Sequence, residues 1–350
     1  MQCVTPMFRL YDISTKETIR IVPRAEVMQG LEMDENNIRF QLSKMNAHYL
    51  ARNQLMQTIP CRKCWACQLN YSAEWATRIM LETQNYENCY FITLTYDDEH
   101  LPIFDSITYQ DKEFENDGTW IDGSLAPDHV TKFFKSWRKE LERKGITGCK
   151  MFYCGEYGTQ THRPHYHLIT FGFEMDLSQN YSYHVDTNFK EHWKNPIIDK
   201  YWSYGMHDIA NVEWSNAAYV ARYCTKKLNT EVHNEEWYAN QGKLPEFIRM
   251  SKGIGKRYYE ANKHEIYKLD SMVMKTVKGN TGNFKPPKAF DKWFKEEFPD
   301  EFKKIEKKRR ECAERSRHNT LRKSSYTDLE RLKQKAENVI TKGNMLKREL

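Results

Sequence analysis

Apolar residues change period several times along the chain, and each change marks an element. In "PDHVTKFFKSWRKELERKG", residues 127–145, Val130, Phe133, Phe134, Trp137 and Leu141 recur at three- and four-residue steps. That spacing lines one face of an α-helix. Pro127 sits where a first helical turn accepts proline, and Gly145 marks the stop. "SNAAYVARYCTKKL", 215–228, predicts a second helix with Ser215 as its N-cap. A third opens from "PCRKCWACQ" at 60–68, with Leu69, Ala73, Ala76 and Met80 at helical steps. "CYFITLTYDD", 89–98, is instead rich in aromatic and β-branched residues and reads as a buried strand ending in acids. "CKMFYCGEYG", 149–158, reads as another strand, broken by Gly155 and Gly158. "PHYHLITFGF" follows after a short turn, so the two predict an antiparallel hairpin.

Between these elements the pattern weakens. A polar stretch with Gly118 and Gly123 predicts a loop, and residues 174–214 read as irregular and aromatic. "KGIGK" at 252–256 is too short for a phosphate cradle and reads as a turn. A Gly/Asn/Pro-rich break at 279–287 precedes a charged helical tail, and no internal repeat is present. The order strand, helix, strand, strand, helix predicts an α+β fold. It is similar to part of a ferredoxin-like split βαβ arrangement, an antiparallel sheet with helices on one face. Such a fold fixes no function by itself.

Composition narrows the classes. The 350 residues are 39% hydrophobic and 29% charged, enough for a core in a soluble chain of two or three domains. No run of eighteen apolar residues predicts a membrane span. "MQCVTPMFRL" has no long apolar leader, so the expected location is the cytoplasm in which the chain is made. Nine scattered cysteines, an odd number, argue against a secreted disulfide framework. The net charge of +6 is uneven: from Lys285 to the end there are 20 basic and 12 acidic residues. A basic tail suits a polyanionic partner, although "KKIEKKRRECAERSR" equally describes a solvated, salt-bridged helix face.

Three constellations carry candidate chemistry. In "THRPHYHLITFG", 161–172, His165 and His167 are one residue apart on a strand, hence on one face, where two imidazoles could share a metal. Surface histidines at a strand end would have the same spacing. In "AYVARYCTKK", Tyr219 and Tyr223 lie one helical turn apart, with Arg222 and Lys226 each three residues after a tyrosine. A phenol with a pKa near ~10 is a weak nucleophile, and adjacent cations or a metal-polarised electrophile would make it competent. Core packing of both rings is the plainer alternative. Cys61, Cys64 and Cys67 form a C-x-x-C-x-x-C run. It could supply part of a structural Zn²⁺ site, with Cys89, Cys154 or a histidine as fourth ligand, or be simply reduced thiols.

The ordered set "PCRKCWACQ…EWATR", "FITLTYDDEHLP", "GEYGTQTHRPHYHLITFG", "AAYVARYCTKK" and "SKGIGKRYY" resembles one family across residues 58–260. It is that of the HUH-type replication-associated proteins, the rolling-circle replication initiators of gokushovirus-like Microviridae phages. One departure is Tyr166 between the histidines, where the motif's name implies a plain hydrophobe. The resemblance implies a metal-dependent, site-specific DNA endonuclease that forms a 5′-phosphotyrosyl intermediate and rejoins strands. It implies His165 and His167 as metal ligands. A third ligand is expected from Glu156, with His162 as competitor and Asp97 or Asp98 as outsiders. Mg²⁺ or Mn²⁺ is the expected ion. Tyr219, Tyr223 and Lys226 are the expected catalytic residues, and Tyr223 fits the Y-x-x-K pattern if only one ring is used. Phage DNA is the expected partner, and with no P-loop in the sequence a host helicase and polymerase are expected too. The expected division is an N-terminal extension at 1–57, the HUH domain at 58–260, a linker at 261–288 and the tail at 289–350. A relaxase or transposase of the same group is one rival. A non-catalytic single-stranded nucleic-acid binder, stacking bases on Phe91 or Tyr153, is another.

Overall fold

The computed structural model describes residues 7–12, 18–23, most of 54–102, most of 123–226, and most of 242–322, with isolated positions elsewhere. The expected loop around Gly118 and most of the tail beyond 322 lie outside the described residues. The chain divides into two compact units. One comprises residues 1–70 and 300–350, the other residues 71–299.

In the first unit, strands β1 (Met7–Asp12), β2 (Thr18–Pro23) and β3 (Gln54–Ile59) form an antiparallel sheet in the order β2-β1-β3. The expected N-terminal extension therefore carries structure of its own. Helix α1 (Trp65–Thr83) follows. Ala73, expected on its apolar stripe, is exposed, and Ala76 and Ile79 are the side chains buried in the core.

The second unit is built on a seven-stranded, wholly antiparallel sheet. Its strands are β4 (Cys89–Thr95), β5 (Lys150–Tyr157), β6 (Pro164–Phe171), β7 (Tyr181–Val185), β8 (Glu191–Lys194), β9 (His207–Asn211) and β10 (Phe247–Met250). They run in the order β10-β5-β6-β4-β9-β8-β7. Three of these strands fall in the stretch that reads as irregular. The reason is visible in β7, where every residue is exposed and no alternation exists.

Helices cover both faces of this sheet, not one. On the first face helix α2 (Pro127–Arg143) lays Val130, Phe133, Phe134, Trp137 and Leu141 against Tyr90, Ile92, Leu94, Tyr166 and Leu168. On the second, Ala76 and Ile79 of α1 and Ala217, Val220 and Ala221 of helix α4 (Trp214–Lys226) meet Phe152, Cys154, Ile169 and Phe171. Two helix-bearing faces follow from strands whose odd and even residues are both apolar. Helix α3 (Pro196–Tyr201) links β8 to β9.

Two local expectations change. Gly155 does not break β5, which runs through it. A Cβ there would come within 2.7 Å of the Phe247 ring and 2.9 Å of Leu125, so glycine lets both close over the strand. Ser215 is not the N-cap of α4 but lies in its first turn. The backbone N–H of Glu213 donates to Asn216 Oδ1 at 2.8 Å, half of a capping box.

Residues 261–288 do not form a linker. They hold most of helix α5 (Lys256–Leu269) and the hairpin of β11 (Met272–Lys275) with β12 (Thr281–Phe284). Tyr267 stacks on Phe294 of helix α6 (Lys288–Glu297) at 3.9 Å, and Tyr259 packs on Phe290 at 5.4 Å. The turn before α5 places Gly255 at φ +80°, a backbone that favours glycine. Its N–H donates to buried Glu82 at 2.5 Å. Helix α7 (Pro299–Arg322) carries nine basic and five acidic residues. Among the described residues no helix is long and apolar enough to cross a membrane.

Candidate metal and tyrosine site

The site begins with register. The β5–β6 hairpin pairs Glu156 with His165 and Cys154 with His167. Across the other edge, β6 pairs His167 with Thr93 of β4. Directly paired residues share a face, and so do residues two apart. Glu156, His165, His167 and Thr93 therefore rise together from the sheet face that carries α4. Tight turning between the strands is achieved by the Gly158 N–H donating to Arg163 O at 3.0 Å, with His162 at φ +51°.

The side chains then converge on one oxygen. His165 Nε2 is 3.0 Å from Glu156 Oε1, and His167 Nε2 is 2.7 Å from it. The Tyr219 hydroxyl donates to the same oxygen at 2.8 Å. Helix α4 delivers this phenol because Ala217, Val220 and Ala221 bury against the sheet and Ser72 Oγ fastens Ala218 O at 2.8 Å. The Tyr219 ring meets the His167 ring edge-on at 5.1 Å, and the Arg222 guanidinium lies 5.5 Å from the centre of the Tyr219 ring.

The second nitrogen of each imidazole is also engaged. His165 Nδ1 lies 3.2 Å from Arg163 O, and His167 Nδ1 lies 3.0 Å from Thr93 Oγ1. A carbonyl only accepts, so His165 carries its proton on Nδ1. Its Nε2 lone pair would then face a carboxylate oxygen. Only a second proton or a cation relieves that opposition. Orienting an imidazole through its far nitrogen is how proteins prepare it for a metal.

The ionisation equilibria follow. Burial works to raise the Glu156 carboxyl, but hydrogen bonds from His165 and His167 overcome it and hold the pKa down at about 2. Burial likewise works to lower His165, and the Glu156 carboxylate overcomes it, leaving a net rise. Burial, then the charge of Glu156, push the Tyr219 phenol well above its ordinary value. Burial lowers Arg222. Alone, this cluster keeps Tyr219 protonated.

The donor set fits a divalent ion. One carboxylate and two imidazoles offer ligand atoms that all lie within 4.8 Å of one another. Neighbouring ligands around an ion with bonds of ~2.1 Å stand ~3 Å apart, close to the contacts to Glu156 Oε1. Mixed nitrogen and oxygen donors suit Mn²⁺ or another transition metal better than Mg²⁺.

The other expected residues fall elsewhere. His162 is exposed in the turn. Asp97 Oδ1 accepts from His100 N and contacts its Nδ1, both at 2.8 Å, and Asp98 pairs with Arg163 at 2.6 Å. None of the three joins Glu156. The backbones of Tyr223 and Lys226 belong to α4, but their side chains lie outside the described residues. Tyr153, a candidate base-stacking ring, is 2% exposed and packs on Phe134, so no base can reach its face. Phe91 stacks on the His167 ring at 5.5 Å. Thr93 and the Arg163 carbonyl were not among the expected residues. The alternation of "FITLT" puts Thr93 on the right face, but only register sets it opposite His167.

Cys61, Cys64 and Cys67 gather in the first unit with sulfurs within 4.8 Å of one another. Cys61 Sγ is 4.0 Å from Cys67 Sγ and accepts the Cys64 N–H at 3.2 Å. Among the described residues the group has three members. Of the expected fourth ligands, Cys154 is fully buried in the sheet core and Cys89 Sγ contacts the Thr83 and Tyr86 carbonyls.

Comparison with known proteins places this geometry. Residues 89–228, the stretch from β4 to just past α4, match the family model of the replication-associated protein ORF2. Replication-associated protein ORF2 of Spiroplasma virus 4 is 38% identical over 304 residues, 85% of this chain and 87% of that one. Replication-associated protein VP4 of Bdellovibrio phage phiMH2K is 30% identical over 73% of this chain and 74% of its own. Replication-associated protein ORF4 of Chlamydia phage 1 is 26% identical over 65% and 59%. No solved structure matches the chain. An α+β antiparallel fold, an ordered His-x-His strand with a tyrosine helix above it, and relatives of this length and identity together make the chain a member of the replication-associated protein ORF2 family, the rolling-circle replication initiators of Microviridae-type phages.

Proposed function

We propose that this replication protein is a metal-dependent DNA nickase and strand-joining enzyme that opens the origin of the double-stranded replicative form. The observation that carries the proposal is the meeting of three groups on Glu156 Oε1: His165 Nε2, His167 Nε2 and the Tyr219 hydroxyl, at 3.0, 2.7 and 2.8 Å. Glu156, His165 and His167 would hold the ion. When bound, it would supply positive charge to a scissile phosphate oxygen and offset the carboxylate that keeps Tyr219 protonated.

The chain's own groups perform the transfer. Tyr219 Oη attacks phosphorus, an Oη–P bond forms, and the P–O3′ bond breaks with its electron pair leaving on O3′. The phenol proton departs along its hydrogen bond to Glu156 Oε1, and the released 3′-oxygen takes up a proton from solvent. The product is a 5′-phosphotyrosyl ester that stores the bond for rejoining. Arg222, over the Tyr219 ring, stabilises the phenolate and the phosphate charge. The second tyrosine, Tyr223, is one helical turn away and would attack the regenerated origin, with Lys226 steadying the phosphate. The freed 3′-hydroxyl then closes the single-stranded circle. Unwinding and synthesis fall to host helicase and polymerase, which sets the work in the host cytoplasm.

The test is incubation of the full chain with supercoiled replicative DNA and Mn²⁺, read on a denaturing gel. Protein fixed to the DNA 5′ end supports the proposal. A Tyr219→Phe, Tyr223→Phe double variant gives no adduct, while either single variant retains some nicking. Full adduct formation by the double variant would exclude both tyrosines. Binding without any adduct would instead favour a non-catalytic single-strand binder.

A further inference from the structure

The far edge of the same sheet carries a second group of metal-ligand side chains that the nicking reaction does not use. His184 of β7 pairs directly with His192 of β8, and His192 pairs with Ala210 of β9, two residues from Asp208. All three side chains therefore share a face. Asp208 is also the direct partner of Thr93 on β4, which faces His167. The group thus stands on the face that carries Glu156, His165 and His167. β9 is two strands from β6, so Asp208 stands ~10 Å from that strand.

Its geometry is that of a donor set. The ligand atoms of His184, His192 and Asp208 all lie within 4.8 Å of one another. His192 Nδ1 is 2.5 Å from Asp208 Oδ2, His184 Nε2 is 4.0 Å from Asp208 Oδ1, and the two rings stack at 4.9 Å. The buried Nε2 of His192 has no hydrogen-bond partner among the described residues. Its nearest charged neighbour is Asp186 Oδ2 at 3.7 Å. Two carboxylates and two imidazoles, one with an unused nitrogen, form a site short of positive charge. Lys190, the cation of the adjoining turn, is committed to Glu213 Oε2 at 2.9 Å and Ser215 Oγ at 2.7 Å.

We infer that His184, His192 and Asp208, with Asp186 alongside, bind a divalent transition ion of the zinc type that fastens the β7–β8 hairpin to β9. Tetrahedral Zn²⁺ with bonds of ~2.0–2.1 Å sets its ligands ~3.3 Å apart. Small movements suffice: the 4.0 Å separation closes and the 2.5 Å one opens. The ion would also hold the tyrosine helix. Asp186 Oδ1 accepts the Lys190 N–H at 2.8 Å, and Lys190 reaches Glu213 and Ser215 at the start of α4. A fixed hairpin turn therefore fixes the beginning of the helix that presents Tyr219.

The test is titration of the full chain with Zn²⁺, with bound zinc counted per chain and amide hydrogen exchange followed across β7 and β8. His184→Gln is the first variant, because the His184 side chain is 58% exposed and supports no core. Asp208→Asn is the second, since it keeps an acceptor for His192 while removing the charge. Each variant is expected to lose one zinc equivalent, or about 100-fold in affinity at this site. Zinc is expected to slow exchange of the β7–β8 amides in the wild-type chain only. Mn²⁺ binding at Glu156 should be unchanged in both. Equal zinc content in wild type and variants, or hairpin exchange indifferent to zinc, would overturn the inference.

Discussion

Replacing Glu156 by glutamine removes one charge from the middle of the site without changing its volume. The wild-type carboxyl is held at about 2 instead of the ordinary 4.5. A shift of that size corresponds to about 3 kcal/mol of stability. The raised His165 records the same contact from the other side and adds nothing further. The pH window follows from both directions. A depressed carboxyl contributes fully above 4.5 and loses its contribution as pH falls toward 2. A raised imidazole contributes fully below 6.5 and loses its contribution as pH climbs through its folded value. In chelator, the gap between wild type and Glu156→Gln is therefore widest between pH 4.5 and 6.5. For a unit of this size, about 3 kcal/mol is about 6–12 °C in melting temperature. Thermal denaturation followed by circular dichroism measures it. In excess Mn²⁺ the dependence above the window reverses, because the ion competes with protons for the imidazoles. Wild type then gains with rising pH and the variant does not. A gap independent of pH, or a variant as stable as wild type at about pH 5.5, inside that window, would refute the charge-coupled cluster.

Other substitutions probe neighbouring links. Thr93→Val keeps the shape of the strand but removes the 3.0 Å contact to His167 Nδ1. Mn²⁺ affinity by calorimetry is expected to fall about 10–100-fold with the melting curve preserved. Trp137→Ala empties a fully buried position between Phe133 and Phe173 and should cost about 3–5 kcal/mol in denaturant unfolding. If the cysteine trio takes zinc, Zn²⁺ will protect Cys61, Cys64 and Cys67 from alkylation together, as read by peptide mass spectrometry. Labelling of all three at unchanged rates would leave them as plain thiols.

Much of the site was legible because it rests on short-range rules. Strand alternation alone sets His165 beside His167, and a tight hairpin brings Glu156 opposite His165. Helix α2 was legible for the same reason, its five apolar residues being the five it buries. What escaped depends on partners distant in sequence. Thr93 meets His167 across 74 residues, and no local pattern gives that register. Helical spacing puts Tyr219 and Tyr223 on one face but does not say which turn meets the histidines. The β7–β9 half of the sheet was invisible because β7 is exposed throughout, so burial imposed no alternation on its sequence. Ile266 and Tyr267, buried beside α6, sit in a stretch whose later Gly and Pro residues suggested a linker.

The most direct measurement is mass-spectrometric mapping of the peptide left on DNA after nicking of the replicative form with Mn²⁺. The account predicts a nucleotide 5′-phosphate esterified to Tyr219, or to Tyr219 and Tyr223 in mixture, and no adduct in chelator or with His165→Ala, His167→Ala. An adduct on a residue outside helix α4, or one formed equally well without divalent metal, would contradict it.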